Sequence, residues 1–161
     1  MSHTELQIET ADGHCPTHVY HPSGNGPWPG VIMYMDGIGM GGRLAVYAAG
    51  HFGDRAAAAA SYHGSGLATD APDSPHRLAP RMTARVYVAG AIKDPNFDDA
   101  QKARLEQALS DAEVDHTIET YNAMHGFVPR DTPVHDEAAT ARHWQTLLAL
   151  FAATLKPVGP Q

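Results

Sequence analysis

Cysteine occurs once in this chain of 161 residues, at Cys15, so no disulfide can form within it and no thiolate zinc cluster can assemble. A reducing, cytoplasmic setting is the expectation that follows. Basic residues are scarce too. Lys and Arg number 11 against 18 Asp and Glu, a formal charge of −7, which makes nucleic acid and anionic membrane surfaces poor partners. Hydrophobic runs are short: none approaches the roughly 20 apolar residues of a membrane span. The opening residues, MSHTELQIETADG, hold neither an apolar signal core nor a basic run. There is no internal repeat. What remains, 43% hydrophobic, suits one globular domain over 1–161 with a real core.

Two alternating runs, Leu6–Thr10 and Thr17–His21, flank the turn signal Asp12-Gly13 and predict an opening antiparallel hairpin. Gly30–Met35 (GVIMYM) is an unbroken apolar run, as expected of a strand covered on both faces. A glycine-rich turn follows, then a short helix over Arg43–Gly50. Ala56–Tyr62 is ambiguous on propensity, since alanine prefers helix, but its place between a helix stop and the His63-Gly64-Ser65-Gly66 turn favours a buried strand; Ala84–Ala89 predicts a strand, and Asp115–Tyr121 alternates like an edge strand. Between the last two, 95–112 predicts a helix burying Leu105 and Leu109. A final helix is expected to open at Thr132 as N-cap with Pro133 next, and to face the core through Ala141, Trp144, Leu148 and Phe151. Strands alternating with helices predict an α/β protein with a mainly parallel sheet.

Chemistry is expected where such sheets place it, at the carboxyl ends of the strands. Asp94 follows the strand ARVYVA, and His125 follows DHTIETY. Taken singly, Asp94 before Pro95 also fits a helix N-cap, and a loop histidine is commonly just exposed. Together, an Asp and then a His ahead of the last helix reproduce the chain order of a hydrolase triad, in which the Asp orients the imidazole and the imidazole takes the nucleophile's proton. The nucleophile would sit on a tight strand-to-helix turn. That turn is present as Gly37-Ile38-Gly39-Met40-Gly41-Gly42, and its central residue is Gly39, which has no side chain.

The string MGGRLAVYAAG (Met40–Gly50), the block from Ser61-Tyr62-His63-Gly64 through Leu67-Ala68-Thr69-Asp70, VYVAGAIKD ending at Asp94, and the His125-Gly126-Phe127 loop resemble dienelactone hydrolases. The resemblance covers nearly the whole chain. It implies an α/β-hydrolase fold that opens lactones or carboxylic esters without cofactor or metal, using a Cys-His-Asp or Ser-His-Asp triad. Asp94 matches the family's triad acid and His125 its base; the backbone N–H groups of Met40 and Ile38 are the candidate oxyanion donors, the second only if the geometry of the turn survives. A family member continues after its third strand through two helices and two strands before the nucleophile turn. Here DGIG joins MGGRLA directly, so the resemblance implies an internal deletion near 39–40 that removes the nucleophile. The expected architecture is then a reduced sheet of about six strands with flanking helices and an N-terminal antiparallel hairpin. One face would be covered almost by the final helix alone, so exposed apolar surface and homo-oligomerisation are expected.

Other readings of the same residues stay open. Gly37, Gly39 and Gly42 also spell the dinucleotide-binding pattern, though no acidic residue ends the next strand and Asp36 would repel phosphate. Ser65, in a glycine turn, is the other conceivable nucleophile. Arg130 either binds a substrate carboxylate or pairs with Asp131 or Asp136. His14 and His18 share a hairpin face, but two histidines lacking a carboxylate make a weak metal site, and no metal is expected. A different class of function is a catalytically inactive homologue that serves as a dimeric or binding scaffold.

Overall fold

The computed structural model describes residues 1–24, 28–34 and 39–155, and these divide into two compact units. The first holds the hairpin. Strands β1 (Ser2–Thr10) and β2 (Gly13–His21) pair antiparallel from Ser2↔His21 to Thr10↔Gly13, each starting four residues before the alternating run that predicts it. The turn closes at Gly13, whose φ of +135° favours glycine.

The second unit is a three-stranded parallel sheet with helices on both faces. Its strands are β3 (Ala58–Tyr62), β4 (Arg85–Ala91) and β5 (His116–Tyr121), in the order β3-β4-β5. The helices are α1 (Met40–His51), α2 (Asp99–Asp111) and α3 (Glu137–Thr154), and a 3₁₀ stretch covers Pro75–Arg81. The period-two alternation of β4 sorts the core. Val86 and Val88 pack with Val46 and Ala49 of α1 and Leu105 and Leu109 of α2. Tyr87 and Ala89 point the other way, toward Tyr121, Phe127 and Ala139 and Leu150 of α3. A central strand buried on both faces is what parallel sheets require.

Three expectations are corrected. Residues 30–34 of the GVIMYM run belong to neither sheet, and Ile32 is 78% exposed, so the described residues form five strands where about six are expected. Apolar character favours burial, but a strand also needs a neighbour's hydrogen-bonding edge. The last helix begins at Glu137, capped by Asp136 accepting from Ala139 N–H at 2.8 Å, and not at Thr132, whose hydroxyl bonds the Gly126 and Pro129 carbonyls. Its buried stripe is Ala139, His143, Leu147 and Leu150, one position away from the predicted one, leaving Trp144 and Leu148 exposed. This helix is apolar enough on two stripes that hydropathy alone cannot choose between them. The stripe that wins includes a histidine.

Candidate active site

The loops after β4 and β5 lie side by side because their strands pair up to Ala91↔Tyr121. A further bond, Ile92 N–H to the Ala123 carbonyl at 3.0 Å, ties them just beyond the sheet. Asp94 and His125 are thereby brought together. The imidazole Nδ1 donates to Asp94 Oδ2 at 2.8 Å, and the backbone N–H of Asn96 donates to Oδ1 at 2.9 Å. Asp94 is not an N-cap; Asp98 fills that role on α2 by accepting from Gln101 N–H. The Asp94 side chain is wholly buried while that of His125 keeps 23% exposure. With Nδ1 protonated against a carboxylate, Nε2 carries the lone pair, the tautomer a general base needs. Lys93, just before Asp94, takes a left-handed φ of +51°, a strained turn of the kind found at functional sites.

Gly39 reaches this pair from the other side. It is buried, immediately precedes α1 and takes φ +82°. Its carbonyl accepts from Ser65 N–H at 3.0 Å. A Cβ placed on Gly39 would stand 2.6 Å from Ser65 Oγ, 2.7 Å from the His63 carbonyl oxygen and 2.9 Å from His125 Cε1. The Gly39 position therefore faces the His125 ring. The space for a side chain there is already filled. Below it, the first turn of α1 lies against the loop after β3, where a Cβ on Gly42 would overlap Ser61 Oγ and lie 2.8 Å from Gly64 Cα. Arg43 clamps the same loop through the Gly66 carbonyl and the Asp73 carboxylate at 3.1 Å.

The structure also draws in Ser65, together with His63 and His143, which the sequence does not single out. Ser65 joins the site through Gly39, and Gly66 N–H bonds the Asn96 carbonyl at 2.8 Å, linking its loop to that of Asp94. His63, at φ +46°, sets its ring 4.9 Å from that of His125 and 5.4 Å from that of Phe127. His143 packs edge-on to Tyr62 at 3.9 Å; burial, reinforced by the nearby His63, pushes its pKa down to about 4. The signal available for His63 is its place directly after a buried strand; for His143 there is none beyond the helical period.

Met40 opens α1, and no side chain caps the N-terminus there, so its N–H is among those without an intrahelical acceptor. Ile38 lies outside the described residues, as do Asp36 and Gly37 of the dinucleotide pattern. The strand which that pattern needs ahead of its first glycine is not formed over 30–34. Arg130 is exposed, and no ion pair joins it to Asp131 or Asp136 among the described residues. Shallow concavities of the described surface lie elsewhere, between the 3₁₀ stretch and α2 and between β4, β5 and α3.

The sequence model of the dienelactone hydrolase family matches residues 31–155. A Synechocystis sp. protein provisionally described as a carboxymethylenebutenolidase is 30% identical over 103 residues, covering 62% of this chain and 42% of that protein. A crystal structure from Klebsiella pneumoniae, provisionally described as a dienelactone hydrolase, superposes with a TM-score of 0.63 at 26% identity, covering 70% of this chain and 48% of the other. A dienelactone hydrolase-like promiscuous phosphotriesterase from metagenomic libraries shares the fold at a TM-score of 0.61 and 24% identity, covering 73% of this chain and 50% of that one. The chain thus spans half or less of the length of these relatives.

Proposed function

Because the chain belongs to the dienelactone hydrolase family, we propose that Asp94 and His125 are the acid and base of a site for a small lactone or carboxylic ester, and that Gly39 stands where the nucleophile would act. The observation that carries this reading is the meeting of three loops: His125 Nδ1 on Asp94 at 2.8 Å, and Gly39 so close that a Cβ placed on it would stand 2.9 Å from Cε1 of the same imidazole. Asp94 holds the ring and its tautomer; His125 would draw a proton from an attacking water. The Met40 N–H at the head of α1 would face the oxyanion, favoured by the helix dipole. Arg130, exposed and five residues past His125, would take a substrate carboxylate. An internal deletion at 39–40 accounts for both the direct DGIG–MGGRLA junction and the length difference from relatives.

Turnover is then lost or weak, because no acyl-enzyme can form on glycine. A triad lacking one member keeps only the roughly 10³–10⁴-fold acceleration that binding and oxyanion stabilisation supply. The test is hydrolysis of p-nitrophenyl acetate and of a dienelactone by the chain, His125→Ala and Ser65→Ala. Slow turnover that falls further in His125→Ala and not in Ser65→Ala supports the reading. Fast turnover abolished by Ser65→Ala moves the nucleophile to Ser65, and turnover indifferent to His125→Ala ends the role of the pair.

A scaffold role has its own observation. Val31, Ile32 and Met33 are 53%, 78% and 61% exposed, and Trp144 and Leu148 of α3 are 46% and 61% exposed. Such apolar surface favours self-association. Sedimentation equilibrium should show a dimer that Leu148→Glu weakens; a monomer at every concentration removes this reading. No described helix is long and apolar enough to cross a membrane.

A further inference from the structure

The hairpin carries a cluster that the hydrolase reading leaves unused. Its register places Glu5 directly across from His18 and His3 across from Tyr20, so His3, Glu5, His18 and Tyr20 share one face by the two-residue alternation of both strands. Their donor atoms converge. His3 Nε2 lies 3.0 Å from His18 Nδ1, and Glu5 Oε1 lies 3.7 Å from that same Nδ1. One ligand atom from each of the three residues falls within 4.8 Å of the others. Tetrahedral zinc with nitrogen ligands at about 2.0–2.1 Å holds its ligand atoms roughly 3.3 Å apart, between the two separations observed.

We propose that His3, Glu5 and His18 form a binding site for a divalent transition ion of the Zn²⁺ type. The donor set argues for the metal class. Two imidazoles and a carboxylate suit borderline ions, while Cys15 alternates to the opposite face, so no thiolate is offered that would favour Cu(I). Both imidazoles bind neutral, His3 keeping its N–H on Nδ1 and His18 on Nε2. The Tyr20 ring stacks on His3 at 4.6 Å and 13°, which restricts the imidazole before any ion arrives. All three residues are exposed, so water completes the shell. The chemistry absent from the His14 and His18 pairing, a carboxylate, is supplied by Glu5 from the other strand. An ion there bridges β1 to β2, and a two-stranded ribbon is marginal enough by itself for such a clip to matter.

Zn²⁺ titrated calorimetrically into the full chain should bind with one-to-one stoichiometry. His3→Ala, Glu5→Gln and His18→Ala should each weaken it by more than the roughly tenfold that losing even an outer partner costs. His14→Ala, on the same face but outside the trio, should leave that affinity unchanged. Zn²⁺ should also slow amide exchange across β1 and β2 in the parent chain and not in Glu5→Gln, whose near-isosteric side chain preserves the hairpin. Absence of one-to-one binding, or binding unchanged in both His3→Ala and His18→Ala, overturns the proposal and leaves the hydrolase reading untouched.

Discussion

A side chain introduced at Gly39 meets a closed space, and the cost can be worked from the contacts. The residue sits at φ +82°, where an L-residue loses roughly 1–2 kcal/mol. Its Cβ would press on Ser65 Oγ at 2.6 Å, the His63 carbonyl at 2.7 Å and His125 Cε1 at 2.9 Å. The first can rotate away, but the second is backbone and the third is held by Asp94. Overpacking of this kind adds roughly 1–3 kcal/mol. Gly39→Ala should therefore lose about 2–5 kcal/mol, a large share of the roughly 5–15 kcal/mol that holds a domain together. Gly39→Cys should lose at least as much and show no acylation burst with p-nitrophenyl acetate. Urea unfolding followed by far-ultraviolet circular dichroism measures the midpoint at unchanged slope. A Gly39→Ala chain within 0.5 kcal/mol of the parent would refute the packing argument, and a burst in a stable Gly39→Cys would show that the space opens.

Asp94→Ala should cost about 1–3 kcal/mol, since it removes the acceptor of both Asn96 N–H and His125 Nδ1; the urea midpoint reports it, and Asp94→Asn should lose less. Gly42→Ala should destabilise by roughly 1–3 kcal/mol through its overlap with Ser61 Oγ, and Ser61→Gly should recover part of that in the double variant. His143 makes stability depend on pH. With its pKa pushed down to about 4 from its ordinary 6.5, the unfolded chain binds more protons than the folded one throughout that window. Its contribution is thus complete above pH 6.5 and is lost as pH falls toward 4, at most roughly 3 kcal/mol and less where solvent screens it. His143→Phe should flatten that part of the pH–stability curve; an unchanged curve would contradict the burial argument.

Local chemistry made several features legible in the sequence. Strand and helix periods predicted β4, β5 and α2 with Leu105 and Leu109 inside, because a buried face leaves a regular mark on hydropathy; β3, rich in alanine, was legible only from its place between a helix stop and a glycine turn. The order of Asp94 and His125 along the chain anticipated their meeting, since parallel strands deliver their following loops to one edge. The tertiary structure alone decided the rest. Which stripe of α3 is buried depends on what the sheet presents to it, and Tyr62 received His143 in place of Trp144. GVIMYM reads as a central strand, yet pairing needs a partner edge that no hydropathy pattern records. The Glu5–His18 meeting required the hairpin's register, which brings together residues 13 positions apart in sequence. Gly39 shows the division most clearly: the sequence puts a glycine just ahead of α1, but only the packing of His63, Ser65 and His125 shows that no room for a side chain is left there.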